Sequence, residues 1–319
     1  MRKSIMISAI LLCAGAALAA SQSHTLDWAY PNLPPNAPVP PDVKGTFTAQ
    51  GAPKTMKLTM KQINDPFSPP DWFPKEHAPM PVAVLHGHAP QVRACMQCHL
   101  ATGEGHPESA TIWGLSVPYI IEQTHAFRDG NRNNSRSTNM VAVAKAISES
   151  DLRQAAAYYA AIRRSPQKWL RVVESPTAPP SHVVSGGGRF FDKNAKGTVP
   201  VPPTQIFEVA ENDEVTLRNP HVGFVAFVPP GSIAKGRVVA LGSRGRMRTC
   251  ASCHGEDLRG HDDAPALAGR SPTYMVRQMS DMMIGARKGP VLGKMKDIIP
   301  KLSEQDMVNV AAYMASLPP

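Results

Sequence analysis

The chain has 319 residues, room for two ordinary domains or one large one. An apolar content of 42% excludes a disordered polymer. The formal charge of +9 comes without a lysine-rich run or interleaved aromatics, so it marks a surface that could steer an acidic protein partner and not a nucleic-acid binder.

Arg2 and Lys3, an apolar run from Ile5 to Leu18 and the Ala17-Leu18-Ala19 pattern read as a cleaved export signal over 1–20. Its removal lowers the formal charge to +7 and takes Cys13 with it, leaving four of the five cysteines. Residues 21–79 hold many of the 32 prolines and are expected to run extended over the modules or over a partner. A short helix at about 81–88 is weakened by His86-Gly87-His88. After it comes "CMQCH" at 95–99. A helix is expected from Pro118 to Phe127, and then "NRNNSRSTNM", a polar stretch expected to be mobile, ends on Met140. Ser148-x-x-Asp151 caps a helix whose Leu152, Ala155, Ala156 and Tyr159 form one apolar stripe, and Pro166 follows it. Residues 169–231 read as a small β-rich linker: "TQIFEVAE" (204–211) alternates like a strand, and "VGFVAFV" (222–228) is a short apolar run needing burial. "SIAKGRVVALG" (232–242) is a helix feeding "CASCH" at 250–254, and further helices are expected over 273–283 and after Ser303-x-x-Asp306.

Cys95 and Cys250 are 155 residues apart, and that offset aligns far more than the pentapeptide. Gly114 falls on Gly269, Tyr119 on Tyr274, Gln123 on Gln278, Gly130 on Gly285, Met140 on Met295, and "AAAYYAAI" on "VAAYMASL". The chain is therefore read as two copies of one mainly α-helical module, 80–168 and 232–319.

All four remaining cysteines lie in C-x-x-C-H, the pattern of covalent c-type haem attachment. Thiols three apart on a helical turn reach the two vinyl groups along one porphyrin edge, and the adjacent imidazole turns under the ring to meet iron. Two haem c groups would also supply core volume to a chain with only 6% aromatics. A thioredoxin-like pair or half a zinc site leaves His99 and His254 unexplained. Cys95, Cys98 and His99 are thus assigned to one haem, and Cys250, Cys253 and His254 to the other. For the sixth ligand, module 2 alone offers Met275, Met279, Met282, Met283 and Met295. Module 1 offers Met140 between the haem motif and its last helix, which selects Met140 and Met295. His106 and His261, also 155 apart, form a rival pair, but seven residues after the proximal histidine favours a loop on the proximal side. Each proximal Nδ1–H is expected on a backbone carbonyl, Pro265 in module 2 and Ala110 in module 1. Arg128, Arg132, Arg136, Arg270 and Arg287 are candidate propionate partners, each set against an ordinary exposed arginine, and His125 is a surface residue or another propionate contact.

"CMQCH…Met140…SESDLRQAAAYYAAI" and "CASCHG…Met295…SEQDMVNVAAYMASL" resemble class I cytochrome c domains, and the tandem resembles the diheme cytochromes of the cytochrome c-four type. "CHGEDLRGHDDAPALAGRSPTYMVRQM" carries the family's Pro-x-Leu-x-Gly stretch and Tyr helix. "CHLATGEGHPESATIWG" lacks the glycine after Cys-His and the Pro-x-Leu pattern. The resemblance covers both modules and neither 21–79 nor the middle segment. It implies a periplasmic carrier with two His/Met haems, relaying electrons from a quinol-oxidising complex or dehydrogenase to an oxidase or other acceptor. A haem subunit docked to a periplasmic dehydrogenase, with 21–79 as its clamp, is the alternative. A diheme peroxidase-like enzyme, which needs one open iron position, is the third reading; the first haem is its expected site.

Overall fold

The computed structural model describes residues 26–31, 43–163, 169–184, 186–242, 249–261 and 264–319. The expected export signal and the proline-rich run after residue 31 lie outside these. Eleven α-helices occur in the described residues: α1 (Met60–Ile63), α2 (Val82–Leu85), α3 (Met96–His99), α4 (Val117–Arg128), α5 (Thr138–Ala146), α6 (Glu149–Ala161), α7 (Ser232–Leu241), α8 (Ala251–His254), α9 (Pro272–Met283), α10 (Met295–Ile298) and α11 (Glu304–Ser316). None is long and apolar enough to cross a membrane.

The 155-residue repeat is visible in the helix starts. Ser116 accepts from the Tyr119 N–H and is followed by Pro118, while Ser271 accepts from the Tyr274 N–H and is followed by Pro272. Ser148 and Ser303 accept from the N–H groups of Asp151 and Asp306. Each hydroxyl satisfies an amide that the first helical turn leaves unpaired, so identical cap residues start identical helices.

Module 2 is built on the crossing of α7 over α11. A Cβ on Gly236 would fall 1.9 Å from the Asn309 carbonyl oxygen, so only glycine lets the two backbones approach this closely. Val239, Ala240, Met307, Val310 and Ala311 fill the contact. Position 236 corresponds to Pro81 in module 1, where α2 is one turn long and packs Val84 onto Ala155 and Tyr159 of α6.

The segment expected to be a small linker is a mixed five-stranded sheet. Its strands are β1 (Leu170–Glu174), β3 (Ser181–Val183), β4 (Arg189–Phe191), β6 (Phe207–Ala210) and β7 (Phe224–Val228), while β2 (Thr177–Ala178) and β5 (Val199–Pro200) pair separately. The order is β1-β7-β6-β4-β3, with β1 parallel to β7 and β6 antiparallel to it. Side chains alternate across β7 as pleating requires. Phe224, Ala226 and Val228 enter the core of module 2, and Val225 and Phe227 face a second cluster with Val209 and Val201. The sheet therefore extends the module 2 core.

The described parts of the arm lie against this same molecule. Leu26 and Ala29 are buried in the module 2 core, Trp28 donates from Nε1 to the Thr204 carbonyl at 2.7 Å, and the Tyr30 hydroxyl donates to Asp281 at 2.7 Å. Ala49, Ile63 and Trp72 enclose Leu217, whose carbonyl accepts from Trp72 Nε1 at 2.6 Å.

The stretch expected to be mobile is fixed at the contact between the modules. The Asn133 N–H donates to the Ala286 carbonyl and the Lys288 N–H to the Asn131 carbonyl, both at 2.8 Å, flanking a bridge between Arg132 and Arg287. Asn134 Nδ2 donates to Asp281, and α5 begins at Thr138. Arg132 and Ser137 are buried, while Asn133, Ser135, Thr138 and Asn139 are exposed, so the stretch is anchored across the interface at some residues and faces solvent at others.

Candidate functional site

α3 and α8 are single turns that carry the two C-x-x-C-H motifs. The His99 N–H donates to the Cys95 carbonyl at 3.0 Å and the His254 N–H to the Cys250 carbonyl at 2.9 Å, bringing both thiols and the imidazole onto one turn. The chain then leaves in the left-handed region, through Gly255 (φ 85) in module 2 and through Leu100 (φ 60) in module 1. The leucine is held by two tyrosines: Tyr159 donates to the Leu100 carbonyl at 3.2 Å and Tyr158 to the Ala101 carbonyl at 2.8 Å. These anchors sit within the apolar stripe of α6 and had no distinct mark in the sequence.

The proximal carbonyls fall where the repeat placed them. His99 Nδ1 lies 2.8 Å from the Ala110 oxygen and His254 Nδ1 lies 2.8 Å from the Pro265 oxygen. A carbonyl only accepts, so Nδ1 carries the proton and Nε2 keeps the lone pair that a metal needs. Burial lowers the pKa of both rings, partly opposed by these bonds, which keeps them neutral.

The cysteines are not an activated redox pair. Burial pushes the Cys95 thiol up to about 12 and the Cys250 thiol up to about 11. A thiolate nucleophile needs the opposite shift. Among the described residues no group of three or more His, Cys, Asp or Glu side chains could hold a metal ion, which leaves half a zinc site without its other half.

The rival histidines belong to the proximal loops. His106 pairs its backbone with Ser109, and His261 with Ala264, one residue before each proximal carbonyl. The His106 ring meets Phe224 edge-on at 6.2 Å, and burial, with Arg218 and His99 second, drives its pKa down to about 3. Both histidines thus lie on the loops that lead to the proximal carbonyls.

The methionines differ in their surroundings. Met295 opens α10 and packs on the cluster that includes Cys250 and Ala251. Met140 is half-buried in the first turn of α5 and stands outside the apolar cluster around Cys95.

The five candidate arginines separate into two groups. Arg128 is taken by Glu149 at 2.6 Å and the Ala144 carbonyl at 2.9 Å, and Arg136 by the Gly186 carbonyl. His125 also pairs with Glu149, at 3.0 Å on the surface. Arg132 and Arg287 are buried at the module interface and related by the repeat offset. Arg132 donates to Gln123 (3.1 Å), Gln278 (2.6 Å) and the Tyr274 hydroxyl (3.2 Å). Arg287 donates to Gln278 (3.3 Å), Gln123 (2.8 Å) and the Tyr119 hydroxyl (3.3 Å). Each partner on one side has its repeat mate on the other, so the contact has pseudo-two-fold symmetry. Arg270, beside it, stacks on Trp113 at 4.1 Å and donates to the Trp113 carbonyl at 3.1 Å. Burial lowers its pKa to about 10. Among the described residues no carboxylate is hydrogen-bonded to Arg132, Arg270 or Arg287. Buried donors at Arg270 Nε and Nη1, Arg287 Nε and Gln123 Nε2 have no partner. Buried cations with orphaned donors call for an anion, which the propionates of two haems supply; the donor set fits the group.

The cytochrome c family model matches residues 239–318. Cytochrome c-554(548) of Halomonas halodenitrificans is 33% identical over 78 residues, 24% of this chain and 94% of that protein. The chain belongs to the cytochrome c family. The thiosulfate dehydrogenase electron acceptor of Thiomonas intermedia is 25% identical over 232 residues, covering 72% of this chain and 81% of that one. Cytochrome c4 of Azotobacter vinelandii is 33% identical over 89 residues, covering 25% and 41%. This cytochrome c is a mainly α-helical diheme electron-transfer protein with covalently bound haem c.

Proposed function

We propose that Cys95 and Cys98 carry the thioether links of the first haem, with His99 and Met140 as its axial ligands, and that Cys250, Cys253, His254 and Met295 do the same for the second. The domains are then 80–168 and 232–319, joined by 169–231 and braced by 21–79. The observation that carries this reading is the matched pair of proximal bonds, His99 to Ala110 and His254 to Pro265, both 2.8 Å and both at the repeat offset. When bound, each haem iron supplies one-electron chemistry and no bond chemistry. Ala110 and Pro265 orient the imidazoles; Met140 and Met295 would help hold the irons, and Arg132, Arg270 and Arg287 would balance the propionates between the modules.

The chain is an exported, periplasmic carrier that takes electrons from a respiratory donor and passes them to an oxidase or another acceptor. The favoured donor is a periplasmic dehydrogenase of the thiosulfate-oxidising class. Two relatives are named as its electron acceptor, and the match to one of them extends over 232 residues, more than the two modules together, so it includes part of the middle segment or arm.

The test is the visible spectrum of wild type, Met140→Ala and Met295→Ala, each oxidised, reduced, and reduced under carbon monoxide. Wild type is expected to bind little carbon monoxide, and each variant is expected to open one haem to it. Carbon monoxide binding by wild type, or a variant without effect, overturns that ligand. Reduction of the wild type by thiosulfate only when a thiosulfate-oxidising dehydrogenase is added supports the donor, and its failure removes it.

A further inference from the structure

The middle segment reaches the first haem motif through the side chain of Arg218. Arg218 caps a short 3-10 helix, Asp213–Leu217, in the left-handed conformation (φ 59, ψ 33) that residues other than glycine seldom adopt. The surroundings hold it there. Leu217 accepts from Trp72, Asn219 Nδ2 donates to the Gln50 carbonyl at 3.3 Å and to Glu214 at 3.1 Å, and the Gln50 N–H donates to Glu214 at 2.7 Å. From that fixed position the guanidinium donates from Nε to the Ile63 carbonyl at 3.0 Å, from Nη2 to Asn64 Oδ1 at 3.2 Å, and from Nη1 to the Gln97 carbonyl. Gln97 is the residue between Met96 and Cys98 within CMQCH. All three partners are uncharged oxygens, so no carboxylate is hydrogen-bonded to this guanidinium beside the turn that carries Cys98 and His99; Arg93 adds a second positive charge acting on Cys98 and Glu108 a negative one. In the second motif the equivalent residue, Ser252, is exposed, and among the described residues no arginine or lysine is bonded to that turn.

We infer that Arg218 is an electrostatic positioning residue for electron transfer: its fixed charge favours the reduced, less positive state of the first haem and so raises the potential of that haem. This rests on the assignment of Cys95, Cys98 and His99 to a haem. A cation beside a redox centre stabilises the form with one electron more, because that form carries one positive charge fewer. Arg218 lies in the middle segment, so this contribution to the first haem comes from outside the repeat.

The experiment is a spectroelectrochemical titration of the holoprotein as wild type, Arg218→Met, Arg218→Lys and Asn219→Ala, with covalent haem counted in each. Met140→His, which exchanges a thioether for an imidazole, identifies the wave of the first haem. In Arg218→Met that wave is expected to fall by about tenfold in its reduction equilibrium, ~60 mV for a one-electron couple, while the other holds. Arg218→Lys retains the charge and is expected to recover most of the shift. Asn219→Ala loosens the loop that fixes Arg218 without removing the charge, so it is expected to lower the melting temperature and to move the first wave part of the way that Arg218→Met does, with the second in place. Unmoved waves in Arg218→Met, equal movement of both, or a lysine variant that behaves like methionine overturns the inference while the haem assignment stands. A wild type without a covalent haem on module 1 overturns the assignment and the inference together.

Discussion

The two haem motifs are five residues each, share Cys-x-x-Cys-His, and hold their histidines by the same bond to the same repeat position, yet they live in different surroundings. Around the first, Met96 and Gln97 are buried beneath the arm and the Arg218 loop, and Leu100 takes a backbone conformation that two tyrosines must secure. Around the second, Ser252 is exposed and a glycine leaves the turn without strain, while the support comes from behind, where α7, α11 and the sheet form one continuous core. A repeated motif fixes what it binds. The elements that differ between the copies fix how tightly each site is held and what charge it feels.

The largest test of this contrast is Gly236→Val. The added atoms meet the Asn309 backbone at 1.9 Å, where neither helix can yield alone, so module 2 is expected to lose at least ~3 kcal/mol of stability and its α7–α11 crossing. Chemical denaturation of the holoprotein followed at both haems checks this, and equal loosening of both modules would deny the contrast. A second test concerns pH. Glu208 on β6 accepts from the Ser271 hydroxyl at 2.8 Å and the Thr273 N–H at 3.0 Å, at the start of α9. Burial first, opposed by these bonds, raises its pKa to about 7. Between the ordinary carboxylate range and pH 7 the folded form holds a proton that the unfolded form has released, so stability falls as pH rises through that window. Glu208→Gln is expected to flatten the slope between about pH 4.5 and 7, worth on the order of 1–3 kcal/mol, as read from melting temperature against pH. An unchanged slope would remove Glu208 as its source. The smallest test compares the caps. Ser303 has the full reciprocal box with Asp306, whereas Ser148 accepts from the Asp151 N–H without the return bond to its own. Ser303→Ala is expected to cost about 1 kcal/mol and Ser148→Ala somewhat less. The reverse order in urea midpoints would show that capping follows the tertiary setting more than the local box.

The repeat made much of the site legible before any coordinates. One offset located the caps and the proximal carbonyls of Ala110 and Pro265, because each is a local device tied to a fixed spacing. Arg132 and Arg287 obey that offset too, and it is the signal that sets them apart from Arg128 and Arg136, which have no such mates. The rest depended on distant pairing. β1 meets β7 in parallel register across more than fifty residues, and strands of two to five residues leave little periodicity to read. The Asn-rich stretch before Met140 read as mobile because its partners, Asp281 and Ala286, lie in the other module. Arg218 is a lone arginine in a loop, and only the packed arm reveals what it faces.

The symmetric contact of Arg132 and Arg287 has a consequence for how the molecule can change. In a dimer of identical subunits, any substitution at such an interface appears twice, and both centres drift together. Here the two halves are covalently one chain, so each can be altered singly while its mate preserves the joint. The contact keeps the geometry of a twofold assembly without its obligation to be equal, which leaves the two redox centres free to become an entrance and an exit.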